Sequence, residues 1–262
     1  MSTVHKFRLP IFVGTIILFV AVWQLFANVV DDPLRLASPL QTAHMFMQLF
    51  VSPTLQPLFL SGLGSTMFEI FAGFALAAVV GVPVGFLMGR YIVADYMLDP
   101  WVNAWYSIPA VAFVPLTMSW TGTTSISALT VAFFIAVFSI IINVYTGVKN
   151  VSASLVEPAL AFGSNQKQLV MKVILPAALP NIMVGLRLGL SRAIDGVIIA
   201  EMLFTVLGFG GLIFDAADKL ELPLATALIV VLALISIALS ELMKYLNRRV
   251  VAWKESAAMI RE

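Results

Sequence analysis

Several long stretches of this chain contain no Asp, Glu, Lys or Arg. Four of them are residues 9–30, 70–89, 100–148 and 222–240. A helix needs about 20 apolar residues to cross a bilayer, so each stretch is long enough to span once, and the third is long enough to span twice. The pattern therefore predicts an all-α, polytopic membrane protein.

Proline and glycine positions divide the apolar stretches into six predicted membrane-spanning helices. Turn-forming residues at 122–125 separate the third span from the fourth, and Pro109 and Pro115 are expected to distort the third. Pro176 and Pro180 are expected to introduce the fifth span. The predicted spans are residues 10–30, 62–89, 101–120, 126–147, 181–206 and 223–245.

The segment between the first two spans is nearly uncharged, yet it is not predicted to cross the membrane. Pro33, Pro39, Pro53 and Pro57 divide it into pieces too short to span. We predict an external loop with one short helix at about residues 40–51.

The second span has small residues at every fourth position. They are Gly73, Ala77, Gly81, Gly85 and Gly89. Residues four apart share one face of a helix, and small side chains let membrane helices approach closely. This stripe predicts a surface on which another helix packs.

The composition supports the membrane assignment and excludes other classes. Apolar residues make up 61% of the chain and charged residues 11%, with no cysteine and a formal net charge of +1. A soluble enzyme, a DNA-binding domain and a disulfide-stapled secreted domain are excluded. Lipid is the expected environment, with no nucleic-acid partner and no metal site.

The basic residues predict the orientation. In the six-span arrangement, all but Arg35 and Lys219 of the 15 basic residues lie on one side of the membrane or in the adjacent part of a span. Cytoplasmic loops are enriched in Lys and Arg, so both termini are predicted to be cytoplasmic.

The polar segment between the fourth and fifth spans has the signals of two short helices. Ser154 and Glu157 fit a capping box, and Gly163 suits the end of that helix. Ser164 is expected to cap a second helix that ends at Pro176. Such a pair forms a rigid cytoplasmic projection. Its apolar residues are expected to be exposed as a partner surface: Leu155, Leu160, Phe162, Leu169 and Val170.

The same segment resembles the signature of the permease subunits of binding-protein-dependent ABC importers. That signature is Glu-Ala-Ala, a Gly six residues after the Glu, and Ile-x-Leu-Pro about ten residues later. The chain has Glu157-Pro158-Ala159, Gly163 and Val173-Ile174-Leu175-Pro176, with Pro158 and Val173 as departures. We expect Pro158 to be tolerated because it is placed in the first helical turn.

Further motifs resemble the nitrate, sulfonate, taurine and bicarbonate permeases. They are Ser107-Ile108-Pro109-Ala110, Pro115-Leu116, Trp120-x-Gly122, Asn143-x-Tyr145-x-Gly147-Val148, Gly185-Leu186-Arg187 and Ala200-Glu201-Met202-Leu203. Glu69 departs from this pattern, because a basic residue is often expected there. Resemblance covers about residues 60–248.

The resemblance implies a type I importer permease that forms a homodimeric channel in the bacterial inner membrane. Two cytoplasmic ABC ATPases and an external solute-binding protein would be its partners. The chain has no Gly-x-x-x-x-Gly-Lys-[Ser/Thr] loop, so ATP and Mg would be bound by the ATPase and this chain is not itself an enzyme. The implied ATPase-coupling residues are Glu157, Ala159, Phe162, Gly163, Leu175 and Pro176.

The resemblance also divides the chain. Residues 1–59 would form an N-terminal anchoring helix and an external loop. Residues 60–248 would form the permease domain with a coupling loop at 150–177, and residues 249–262 a cytoplasmic tail.

Ionisable and polar residues in the spans are the candidates for the translocation path, because burying them in a membrane is costly. They are Glu69, Trp120, Asn143, Asp195 and Glu201. Arg192 and Asp195 are expected to pair, Glu69 to lie exposed in the outer part of its span, and Glu201 to form a gate or reach external water. Residues 207–211 are expected to form an external re-entrant turn.

The expected solute is a small polar organic anion of the sulfonate, nitrate-like or aromatic acid class. Two alternatives stay open at this point. An ion-coupled secondary transporter or channel would leave the helical loop unexplained. A membrane-embedded enzyme would need a cluster of nucleophiles or metal ligands at one membrane face.

Overall fold

A computed structural model describes the backbone of residues 8–32, 34–204 and 208–259. The side chains of residues 8, 9, 204 and 251–259 are not described. Pro33 and Leu207, which the sequence predictions include, lie outside the described residues.

Most of the described chain is helical. Its helices are α1 (Arg8–Val30), α2 (Pro39–Val51), α3 (Leu55–Arg90), α4 (Ile92–Tyr106), α5 (Phe113–Thr121), α6 (Ser125–Lys149), α7 (Ala153–Ala161), α8 (Gln166–Leu169), α9 (Leu175–Phe204), α10 (Phe209–Asp218) and α11 (Leu222–Met259). A 3₁₀ turn covers Ala110–Ala112, and a π-helical segment covers Val170–Ile174.

Five of the described helical segments are long and apolar enough to cross a membrane. They contain α1, α3, α6, α9 and α11, and a shorter apolar helix runs through Ala110–Thr121. The prediction of an all-α, polytopic membrane protein is confirmed.

Helix α6 lies at the centre, packed along α3 on one side and α9 on the other. The small-residue stripe is the reason α3 can approach so closely. A Cβ added at Gly85 would lie 2.5 Å from the Ile141 carbonyl oxygen, and one at Gly81 would lie 3.0 Å from Ile140 Cβ. The predicted packing surface is confirmed.

The third predicted span, residues 101–120, is wrong as a single helix. Helix α4 ends at Tyr106, and the chain resumes as the 3₁₀ turn and α5. Pro109 has no N–H for a helical bond and disfavours helical backbone at Ile108. The predicted break after this region is confirmed, since Gly122 has φ +71° and α6 begins at Ser125.

The fifth predicted span begins too late. Pro176 does not end a helix, because Gln166–Leu203 is one continuous apolar helical segment. The Leu175 N–H bonds to the Val170 carbonyl, five residues back, in the π-helical segment. This wider turn relieves the clash that a proline ring makes with the preceding turn of a helix.

Two other boundaries also differ from the predictions. Helix α3 starts at Leu55, so Pro57 lies in its first turn, where a missing N–H costs nothing. Within residues 207–211, the described part is not a re-entrant turn, because Gly208 caps the helix α10. The short helix predicted at 40–51 is confirmed as α2.

Candidate functional site

The loop between α6 and α9, residues 150–174, is predicted to be cytoplasmic and begins with helix α7. The capping box predicted at Ser154 is wrong: Ser152 is the N-cap, and its hydroxyl accepts from the Ser154 N–H. Pro158 is therefore the sixth helical residue rather than a first-turn residue. The Ser154 carbonyl loses its helical partner, but Ser154 is exposed to water and the loss is tolerated.

Helix α7 ends in a left-handed glycine turn. Gly163 has φ +79°, the Gly163 N–H bonds to the Leu160 carbonyl, and the Ser164 N–H bonds to the Ala159 carbonyl. These two bonds are those of a Schellman motif. No atom lies within 4 Å of a Cβ added at Gly163, so backbone conformation rather than space requires the glycine. The predicted helix end is confirmed.

The second loop helix, α8, is capped one residue later than predicted. Asn165, not Ser164, is the N-cap: its side chain accepts from the Gln168 N–H at 2.8 Å, and its own N–H donates to Gln168 Oε1 at 3.0 Å. Arg90, the last residue of α3, donates to Gln166 Oε1 at 2.7 Å. The loop is thus a folded unit fastened to the end of a membrane helix.

The loop has an inner and an outer face. Leu169 and Ile174 are buried in the main core, and Ala159 packs against it. The expectation that Leu169 is exposed is therefore wrong. Phe162 is 92% exposed, and Glu157, Leu155 and Leu160 are exposed as well. We call these four exposed residues the outer loop face. Leu175 and Pro176 lie half-buried where the loop joins α9.

A hydrogen-bonded cluster ties α4 to α6 just before the loop. Lys149 Nζ lies 2.9 Å from Asp95 Oδ2, and the Tyr145 hydroxyl donates to the same oxygen at 3.2 Å. Lys149 also donates to Tyr145. The hydrogen bond from Lys149 lowers the pKa of Asp95, although partial burial opposes this effect.

Glu201 is the most extensively bonded carboxylate in the described membrane region. Oε1 accepts from the Thr66 hydroxyl at 2.6 Å, and Oε2 accepts from the Gly210 N–H at 2.7 Å. Thr66 Oγ1 in turn accepts from the Phe209 N–H at 2.8 Å. Glu201 is fully buried, so the prediction that it reaches external water is wrong in this conformation. A carboxylate at the N-terminus of α10 is favoured by the free N–H groups and the helix dipole.

Glu69 lies next to Glu201 and is also fully buried, so the expectation of an exposed outer carboxylate is wrong. Ser65 donates to Glu69 Oε1 at 3.1 Å, while Oε2 has no partner among the described residues. We call Thr66, Glu69, Glu201 and the α10 N-terminus the carboxylate junction. It joins α3, α9 and α10.

Arg192 and Asp195 lie on a side of α9 that the rest of the chain leaves uncovered. Their closest atoms are 3.9 Å apart, and both side chains are more than half exposed, at 54% and 58%. The predicted pairing is confirmed but is loose. Since two charged side chains inside a span avoid lipid, this side of α9 is expected to face water or protein.

The other two path candidates lie elsewhere. Asn143 donates to the Ser139 carbonyl at 2.8 Å and packs against Gly185, where α6 meets α9. Trp120 is 61% exposed near the end of α5. Of the five candidates, the described structure brings together only Glu69 and Glu201.

Sequence reasoning missed Thr66, whose hydroxyl connects Glu201 to α10. A signal for it existed: Gly62, Thr66, Glu69 and Gly73 follow one another at spacings of four, three and four along α3. That spacing places them on one helix face, whose first three residues meet α9 and α10, whereas Gly73 packs against α6.

Comparisons with known proteins agree with the motifs and the fold. The family model "Binding-protein-dependent transport system inner membrane component" matches residues 81–252. A putative ABC transporter permease protein of Methanocaldococcus jannaschii is 30% identical, over 91% of this chain and 90% of that protein. The putative aliphatic sulfonates transport permease protein of Bacillus subtilis is 30% identical, over 90% and 85%. The taurine transport system permease protein of Escherichia coli is 29% identical, over 92% and 88%.

A solved chain of the MetNI methionine ABC transporter, in an inward-facing conformation, has the same fold. It superposes with a TM-score of 0.65 at 21% identity, covering 76% of this chain and 99% of that chain. The chain therefore belongs to the family of inner-membrane permease components of binding-protein-dependent ABC transporters, and it is a multi-pass protein of the bacterial inner membrane.

Proposed function

We propose that this permease is the membrane channel of an ATP-driven importer that moves a small organic anion by alternating access. Two cytoplasmic ABC ATPases bind its cytoplasmic loops, and a solute-binding protein delivers the solute on the opposite side. The channel consists of two copies of this chain. The observation that carries the proposal is the outer loop face, where apolar side chains are exposed on a rigid helical support.

The outer loop face is suited to binding a protein. Phe162 is 92% exposed and Leu155 51%, and the predicted topology keeps both out of the lipid. Aromatic side chains on a rigid support are common binding hot spots, and apolar surface without lipid or core contact marks a partner site. Glu157, which is also exposed, supplies a charge on the same short helix.

The loop is also rigidly connected to the membrane helices, so that its movement would move them. Its inner residues Leu169 and Ile174 are part of the core that contains α6 and α9, and its C-terminal end continues into α9 without a break. Arg90 fastens it to α3. A displacement of the loop by a closing ATPase dimer therefore moves membrane helices as a body, which is what alternating access requires.

Pairing of two copies accounts for the uncovered charged side of α9. Arg192 and Asp195 are exposed in a single chain, at the middle of a span. Placed at the axis of a homodimer, they face a water-filled path instead of lipid. The basic Arg192 suits an anionic solute, as do the sulfonate and taurine systems named among the relatives.

The first experiment replaces Phe162 with Ala in the complex co-expressed with its cognate ATPase. Burying a phenylalanine contributes about 1.5–3 kcal/mol, so we expect the ATPase to bind roughly 10–100-fold more weakly. The measurement is a titration of purified ATPase onto the permease in nanodiscs. Uptake in proteoliposomes should fall in parallel.

Phe68→Ala is the matched control. Phe68 is 65% exposed on α3, inside a membrane span, and no ATPase reaches it there. Its replacement should leave ATPase affinity unchanged. Equal affinities for wild type, Phe162→Ala and Phe68→Ala would disprove the assignment of the outer loop face.

A further inference from the structure

A cavity of about 260 Å³ lies where α4 breaks into the 3₁₀ turn, against α6 and α9. Its lining residues include four aromatic side chains whose rings are nearly parallel, one serine and one arginine: Trp105, Phe113, Phe134, Phe138, Ser139 and Arg192. None of them belongs to the outer loop face or the carboxylate junction. Ligand pockets usually measure about 300–1,000 Å³, so this one is suited to a molecule smaller than a typical drug.

Four aromatic rings that line the cavity are nearly parallel to one another. The Trp105 ring is inclined by only 26° to Phe113, 18° to Phe134 and 8° to Phe138, with ring centroids 5.9 to 6.4 Å apart. Phe113 and Phe134 are also nearly parallel, at 10° and 5.5 Å. A set of aligned rings offers its faces and edges to another planar group, which favours an aromatic or similarly flat ligand.

Arg192 supplies a cation in this aromatic surrounding. Its nearest acidic partner is Asp195 at 3.9 Å, on its own helix, and the Arg192 side chain is 54% exposed. A guanidinium held so loosely can turn towards a ligand. Guanidinium binds carboxylates and sulfonates through two parallel hydrogen bonds. Ser139, which is buried at the cavity, adds a hydroxyl.

We propose that this cavity is a solute-binding site within the membrane and that it takes a small organic anion with a flat apolar body, such as an aromatic sulfonate or carboxylate. The aromatic wall holds the body and Arg192 binds the acid group. A bare inorganic anion gains nothing from the wall, because it has no apolar surface to bury. This inference rests on the proposed importer function and specifies its solute class.

The site also contacts the helices that are proposed to move during transport. Trp105 and Phe113 lie on opposite sides of the break between α4 and α5, while Phe134 and Arg192 lie on α6 and α9. A ligand that contacts all four bridges the segments whose relative tilt changes when α9 moves. The cavity is therefore expected to bind tightly in one conformation and weakly in the other.

The test measures binding of benzenesulfonate to the permease–ATPase complex in nanodiscs without ATP, by calorimetry and by quenching of tryptophan fluorescence. We expect saturable binding of benzenesulfonate. Benzoate should compete with it for the site, and nitrate should not. Arg192→Gln should weaken binding at least tenfold, and Phe134→Ala should weaken it several-fold. Arg187→Gln, an exposed arginine on the same helix that does not line the cavity, should bind as wild type does.

Three results would overturn the site: no saturable benzenesulfonate binding to wild type, equal binding by Arg192→Gln and Arg187→Gln, or competition by nitrate as effective as by benzoate. The importer proposal is tested separately by the ATPase affinity of Phe162→Ala. Loss of that affinity without benzenesulfonate binding refutes the site alone. Benzenesulfonate binding with unchanged ATPase affinity refutes the coupling assignment alone.

Discussion

Truncation of Glu201 should separate α10 from the membrane helices that hold it. In Glu201→Ala the Gly210 N–H and the Thr66 hydroxyl lose their acceptors at 2.7 and 2.6 Å, in a place with no access to water. A buried donor without a partner costs about 1–3 kcal/mol, and the lost side chain leaves a cavity. The expected destabilisation is about 3–6 kcal/mol.

Glu201→Gln should behave differently. The amide keeps one acceptor for the Gly210 N–H and fills the same volume. We expect stability within about 1 kcal/mol of wild type, because no cavity forms and the amide can still hydrogen-bond to both Gly210 and Thr66.

The assay is thermal unfolding of the purified permease in detergent. At roughly 2–4 °C per kcal/mol for a chain of this size, Glu201→Ala should lower Tm by about 6–24 °C. Glu241→Ala is the control, because Glu241 is an exposed carboxylate paired with Lys244, and such pairs contribute at most about 1 kcal/mol. If Glu201→Ala and Glu201→Gln unfold at the same temperature, the reasoning is refuted.

Thr66→Val tests the same junction from α3. The isosteric valine removes the donor to Glu201 and leaves the Phe209 N–H without an acceptor. Because both variants disrupt one network, Thr66→Val combined with Glu201→Ala should cost clearly less than the two separate effects together. Full additivity would show that the hydrogen bonds do not form a unit.

Three further predictions concern the small-residue stripe of α3, the glycine turn at the end of α7 and the hydrogen-bonded cluster between α4 and α6. Gly85→Ala should lower Tm, because its Cβ would lie 2.5 Å from a backbone carbonyl. Gly64→Ala, whose Cβ would have no atom within 4 Å, should raise Tm slightly. Equal shifts in Tm would contradict the close packing of α3 on α6. Gly163→Ala should weaken ATPase binding several-fold in titration, since an alanine with φ +79° costs about 1–2 kcal/mol; unchanged affinity would mean that the turn geometry is dispensable. Asp95→Asn should lower Tm at neutral pH. The lowered pKa of Asp95 means that its stabilising effect is present above its usual value of 3.8 and is lost as the pH falls through the folded value, so the Tm difference should disappear on acidification.

The charged residues mark the limit of prediction from sequence. Glu69 and Glu201 stand out because carboxylates are rare in apolar spans, but they are 132 positions apart and nothing in the sequence pairs them. Thr66 was missed because hydroxyl residues occur throughout membrane helices without special roles. Burial of both carboxylates, and their attachment to α10, depend on how three helices meet.

Local chemistry determined much of this protein directly from the sequence. Apolar length defined most spans, the four-residue stripe defined the face of α3 that packs on α6, and Gly163 defined the end of α7, because each effect acts within a few residues. The tertiary structure decided the rest. It brought Glu69 and Glu201 together against α10, and it aligned Trp105 with Phe134 and Phe138 beside Arg192. These outcomes depend on contacts between residues that are far apart in the sequence. The free energies of such contacts cannot be inferred from a local sequence pattern.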